Sequence, residues 1–248
     1  MIKKIALISL ALSLLSYIFF AIFVLNPNAE NGVCKNMEVV VKDSLDRHFI
    51  NGKEVAIILR NAGLTPIGKK MTEINTEAIE DKLEENKLVK KAECYKTPDG
   101  NIRVEISQKI PILRVFSTEG NFYIDSEGGI MPLPTTVFSA YVPVATGYIT
   151  KEFATTQLYD FAKFMHKNRF WDTQIEQIYV ASNQDVELTP RVGNHQIILG
   201  KLENYVENLE KLKIFYDKGL NEVGWNKYSI INLKFKDQVV CTKRNSNS

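Results

Sequence analysis

The stretch from Ile5 to Leu25 restricts this chain most: 21 residues without a charge, whose only polar side chains are Ser9, Ser13, Ser16 and Tyr17. Inside hydrocarbon no water satisfies backbone N–H and C=O groups, so a single run of this kind has to bond internally as a helix. At 1.5 Å per residue it would be about 32 Å long, enough to cross a hydrocarbon layer of roughly 30 Å. Lys3 and Lys4 precede it, and no basic residue follows until Lys35. The positive-inside rule then predicts a cytoplasmic N-terminus with the rest of the chain on the far side, periplasmic to an inner membrane. The rival reading is a cleaved signal peptide, whose apolar region runs about 7–15 residues and ends in small residues. This run is longer, and Phe23-Val24-Leu25-Asn26-Pro27 offers no such end. Ser9 and Ser13 have the small-xxx-small spacing that packs membrane helices, a spacing that also arises by chance.

Of the 248 residues, 45% are hydrophobic and 24% charged, which is the balance of a folded protein. The formal charge is +2, from 31 basic and 29 acidic side chains, with no basic stripe of the kind that binds nucleic acid. Cys34, Cys94 and Cys241 make an odd count without a C-x-x-C pair, so neither a redox motif nor a zinc knuckle is indicated. Cys94 and Cys241 lie in strand-like runs and read as small buried thiols.

Past the apolar run, residues 26–36 read as a connector. Met37 to Lys42 has the valine-rich texture of a strand, and Val55, Ile58, Leu59 and Ala62 place a helix over Asn51 to Gly63. A second helix runs from Thr76 to Asn86 behind an Asn75 cap, with Ile79 and Leu83 on one face. Its other side, Glu77, Glu80, Asp81, Lys82, Glu84 and Glu85, reads as a solvated charge run. Val89 to Thr97 is a strand, Pro98-Asp99-Gly100-Asn101 a turn, and Ile102, Val104 and Ile106 alternate as in a half-buried strand that should finish near Pro111. Two amphipathic helices and three strands make a small α+β layer over residues 37–111.

Residues 112–243 read as a mixed β domain with two helices, Thr156 to Asn168 and Glu203 to Lys218. Asn121 to Met131 forms a hairpin around Asp125-Ser126-Glu127-Gly128-Gly129. Strands follow at Ile175–Val180, Val186–Thr189 and Gln196–Leu199, and the chain closes with Tyr228–Lys236 and Gln238–Thr242. Residues 244–248 read as a polar tail.

No catalytic constellation emerges. His48, His166 and His195 are far apart in sequence, with no metal-ligand spacing among them, and no nucleophile elbow, P-loop or dinucleotide fingerprint occurs. Asp125 and Glu127 read as turn residues. No enzyme, cofactor, metal or small-molecule substrate is expected. Recognition then falls to surface, and the physical candidate is a sheet edge with unpaired backbone groups. The closing strands carry Ile230, Leu233, Phe235, Gln238, Val239 and Val240, which either form such an edge or complete the core. Trp225 and Tyr228 either anchor an interface or pack the preceding helix against these strands.

Several stretches resemble signatures of the FtsQ/DivIB family of bacterial cell-division proteins. Leu88-Val89-Lys90-Lys91-Ala92-Glu93-Cys94 is similar to the family's lead-in to the second strand of its POTRA domain. Val104-Glu105-Ile106 through Gln108-Lys109 to Pro111 resembles its interdomain junction, with Gln108 where the family usually has Glu. Asn121 to Gly129 is similar to its Asp-Gly hairpin, and Ile231 to Phe235 with Gln238 to Val240 to its closing strand pair. The resemblance runs from Lys3 to about Thr242. It implies a bilayer anchor through residues 5–25, a POTRA-like domain, a β domain, and FtsB/FtsL-type partners engaged by the C-terminal region, with septal peptidoglycan synthesis downstream. With about four residues ahead of the anchor, partner binding on the cytoplasmic side is not expected. The alternative reading is a POTRA-type chaperone or transport component of the envelope, although no second POTRA-like order occurs. An anchored envelope hydrolase would need a site that the sequence lacks.

Overall fold

A computed structural model describes residues 10, 12–20, 32–42, 49–134 and 139–244. Two compact units divide at Gln108 and Lys109. Residues 10 and 12–20 are helical and exposed, and the rest of Ile5–Leu25 lies outside the described residues. Among the described residues no helix is long and apolar enough to cross a membrane.

In the first unit the order is β1 (Met37–Val41), α1 (Gly52–Asn61), α2 (Thr76–Glu84), β2 (Val89–Lys96) and β3 (Ile102–Gln108), with a 3₁₀ turn at Met71–Glu73 before α2. The strands are ordered β1-β3-β2, the first pair parallel and the second antiparallel. Asn51 starts α1 with a capping box: its side chain accepts from the amides of Lys53 and Glu54, while the Glu54 carboxylate accepts from the Asn51 amide. Val55 and Leu59 from α1, with Ile79 and Leu83 from α2, pack on Ala92, Cys94, Ile102, Val104 and Ile106. The opposite sheet face holds a charged lattice, in which Lys42 reaches Glu93 and Glu105, and Tyr95 donates to Glu105.

Residues 32–36 are not a free connector. The amide of Cys34 donates to the Lys69 carbonyl, that of Gly68 to the Cys34 carbonyl, and the Cys34 side chain is in the core. Gln108 is buried, and its side-chain oxygen accepts from the amides of Phe49 (3.0 Å) and Ile50 (3.1 Å). A neutral amide accepts both bonds without burying a charge.

In the second unit nine strands form one sheet among the described residues. They are β4 (Pro111–Ser117), β5 (Gly120–Asp125), β6 (Ile130–Pro132), β7 (Val144–Gly147), β8 (Ile175–Val180), β9 (Val186–Pro190), β10 (Gln196–Gly200), β11 (Tyr228–Asn232) and β12 (Val240–Lys243). The order across the sheet is β12-β11-β10-β9-β8-β7-β4-β5-β6. Pro111 opens β4, a position in a strand where its missing donor is cheap. Helices α3 (Lys151–Thr155), α4 (Gln157–Lys167), α5 (Arg169–Gln174), α6 (Tyr205–Phe215) and α7 (Asn221–Val223) accompany the sheet. Three of these go beyond the two expected helices, being too short to show a period. Leu158, Phe161, Ala162 and Met165 of α4 share one core with Leu209 and Leu212 of α6. Between α6 and α7 the chain widens into a π turn, Tyr216–Leu220, which keeps both terminal side chains of that turn buried.

Asp125 holds the first hairpin. One carboxylate oxygen accepts from the amides of Glu127 and Gly129, both at 2.8 Å, and the other lies 3.1 Å from the Lys109 ammonium. A Cβ at Gly129 would stand 2.6 Å from that carboxylate, so the turn requires glycine there. The two oxygens are thus engaged in architecture.

Candidate protein-interaction edge

β12 is the outermost strand on one side of the nine-stranded sheet. It pairs antiparallel with β11, Ile230 opposite Thr242, Ile231 opposite Cys241 and Asn232 opposite Val240. In such a pair alternate residues turn N–H and C=O to the far side. Among the described residues no side chain accepts from a β12 amide. Val240, Thr242 and Lys243 are exposed, while Cys241 is half-buried and its thiol is pushed up by that burial.

The loop before β12 is fixed by a helix. Lys211 of α6 donates its ammonium to the carbonyls of Leu233 (3.3 Å) and Phe235 (2.9 Å). A turn at Phe235–Gln238 follows, with Asp237 in the left-handed region at φ 57°. Lys234 pairs with Asp185 at 2.7 Å and holds that carboxyl below its usual range. These bonds end β11 at Asn232 and delay β12 to Val240, four and two residues inside the expected limits.

Two open grooves flank Lys211. One, about 370 Å³, is lined by Lys211, Ile214, Phe215, Lys218, Gly219, Asp237 and Val239. The other, about 280 Å³, is polar and bounded by Glu207, Lys234, Phe235 and Lys236 among others. Of the expected interaction residues, Phe235, Gln238 and Val240 are exposed, and Ile230, Val239, Trp225 and Tyr228 are half-buried. Leu233 is corrected: it is fully buried in the core, because its amide bonds to the Ile198 carbonyl of β10 and carries the side chain inward. It therefore shapes the edge from beneath.

Trp225 does pack against the fold. Its ring lies 4.8 Å from that of Tyr216 and its indole N–H donates to Asn221. Beneath it His195, buried, sits 2.9 Å from the Tyr216 hydroxyl. Burial, then the Arg244 guanidinium, holds this imidazole below its ordinary range. Arg244, directly after β12, bonds to the carbonyls of Asn194, Asn226 and Tyr228. His166 lies elsewhere, beside Asp172, and His48 falls outside the described residues.

Sequence reasoning missed Lys211, Ile214, Phe215, Lys218 and Arg244. A signal did exist for one of them: with Leu209, Leu212 and Tyr216 facing inward, Ile214 is an apolar residue on the wrong side of its helix, and it is 57% exposed.

A family model described as FtsQ/DivIB, C-terminal related matches residues 110–242, more than half of the chain. A model described as POTRA-like domain matches residues 32–107. No curated protein matches the chain.

Proposed function

The chain belongs to the FtsQ/DivIB family of cell-division proteins, non-enzymatic interaction scaffolds, and from that membership we propose that it is a single-pass inner-membrane scaffold of the divisome. In this reading residues 5–25 are the bilayer anchor, the N-terminus is cytoplasmic, and both folded units are periplasmic. FtsB/FtsL-type partners bind the β12 edge and its flanking groove. By that route the protein links septal peptidoglycan synthesis to the division site.

The observation that carries the proposal is the state of β12. It is an edge strand whose amides meet no side-chain acceptor among the described residues, bordered by an apolar groove with lysines at its rim. An incoming strand gains backbone hydrogen bonds there, and alternate side chains reach the groove. Lys211, Lys218 and Lys236 favour acidic residues flanking that strand.

The test is co-purification of tagged full-length chain with its envelope partners, for Phe235→Asp and for truncation before Gln238. Both variants are expected to lose the partners while the first unit keeps its urea transition. Partners retained by both variants would sink the edge-binding proposal. A tagged copy spread evenly around the envelope, without septal enrichment, would favour the chaperone or transport reading instead.

A further inference from the structure

The charge run on α2 is not merely a solvated face. Glu84 Oε1 accepts from the amide of Ala92 at 3.0 Å, and Glu80 Oε1 accepts from the amide of Cys94 at 2.6 Å. Both amides belong to β2, which ends the β1-β3-β2 sheet and, among the described residues, pairs only with β3. Ala92 and Cys94 stand opposite Ile106 and Val104, and as alternate residues they turn their N–H groups to the same open side. Four residues of helix rise about 6.0 Å and two residues of strand about 6.6 Å, so carboxylates at i and i+4 match amides at j and j−2. The chain direction fits as well: moving forward along α2 from Glu80 to Glu84 moves backward along β2 from Cys94 to Ala92.

We propose that Glu80 and Glu84 are a guard that closes the β2 edge, standing where the carbonyls of an added strand would stand. β2 is eight residues long, enough to template an extended segment, and its amides at the centre are already taken. The segment excluded is any extended peptide whose face complements that of β2. The nearest such chemistry in the chain is β3 itself, IRVEISQ, which already satisfies β2 from the other side. The guard does not depend on what the β12 edge binds.

The experiment compares the full chain with two double variants, Glu80→Ala/Glu84→Ala and Glu80→Gln/Glu84→Gln. Glutamine keeps the acceptor oxygen at each position and alanine removes it, so the pair separates hydrogen bonding from charge. Amide exchange at residues 92 and 94 should speed up roughly tenfold in the alanine variant and stay near the parent rate in the glutamine variant. A synthetic peptide of residues 102–108 should bind the alanine variant and fail to bind the other two at about 1 mM. Unchanged exchange in the alanine variant would overturn the guard. So would peptide binding equally well to the parent, or a peptide that still fails to bind the alanine variant once its exchange has risen. Retained far-ultraviolet dichroism in each variant excludes unfolding as the cause.

Discussion

At β2 two alternate amides meet carboxylates from the neighbouring helix, whereas at β12 no side chain among the described residues accepts from a backbone amide. The two strands differ in length as well, eight residues against four. A long edge is the greater hazard for unwanted pairing, and occupying its donors is a direct remedy. A short edge with an exposed Lys243 is protected by its size and charge, which leaves its donors available. Strand addition at β2 must first break two charge-assisted bonds, each on the order of 1.5–3 kcal/mol. At β12 no such bond among the described residues has to break. The difference is therefore a preference built into the fold for where an extended partner can be accepted.

The largest expected effect comes from breaking the open edge one amide at a time. Proline placed singly at Val240, Cys241, Thr242 and Lys243 removes one donor at each position. Where the amide faces β11, the loss of a ladder bond should destabilise the second unit by about 3 kcal/mol. Where it faces outward, stability should change by under about 1 kcal/mol, while partner capture falls roughly 100-fold. Urea midpoints and pull-down titrations read the two quantities separately. Capture that survives proline at all four positions would remove β12 as the docking strand.

A smaller effect concerns what presents that edge. Lys211 bonds to two carbonyls of the 233–239 segment, and among the described residues the β2 guard has no counterpart to this loop clamp. Lys211→Met keeps the aliphatic stem and deletes the ammonium. The second unit should lose about 1–2 kcal/mol, read as a lower urea midpoint. Trypsin should cleave after Lys234 and Lys236 several-fold faster. A cleavage rate equal to that of the parent would show that the segment is held by its own turn.

These features were unequally legible in the sequence. The inward face of α4 followed from Leu158, Phe161, Ala162 and Met165, because a period of 3.6 is a local signal. The Asp125–Gly129 turn followed from the needs of its residue types. The role of Glu80 and Glu84 did not follow, because a pattern of charges gives a helix face and not the strand beside it. The limits of β11 and β12 were missed for a similar reason, since Lys211 lies more than twenty residues from the carbonyls it holds. Leu233 alternates with Asn232 and Lys234, a pattern that fits a core face as well as an edge pocket, and its amide bond to the Ile198 carbonyl goes with the core face. Local physics was readable, and contacts between distant segments were not.

The smallest effect expected is a pH dependence that separates the two edges. His195 lies below the β12 side of the sheet, against Tyr216, Trp225 and the Arg244 guanidinium. Burial first, and Arg244 second, hold its pKa below the ordinary value of about 6.5, and burial likewise pushes the Tyr216 hydroxyl up. The folded state thus keeps the imidazole neutral, while the unfolded chain takes up a proton near pH 6.5. Below that pH the unfolded state binds more protons, so stability is full above about pH 6.5 and falls as pH drops through the depressed folded value. His195→Gln retains a polar group for Tyr216 without a titration, and its urea midpoint should fall less than the parent's between pH 7 and 5. Protonation also sets a cation beside Arg244, whose bonds to Asn194, Asn226 and Tyr228 secure the end of β12. Protection of the 240–243 amides, corrected for intrinsic exchange, should fall as pH drops through that depressed folded value. The amides of Ala92 and Cys94 bond to the Glu84 and Glu80 carboxylates instead and should stay level. A parallel loss of protection at both edges would show that the pH effect is global and that His195 does not act locally on β12.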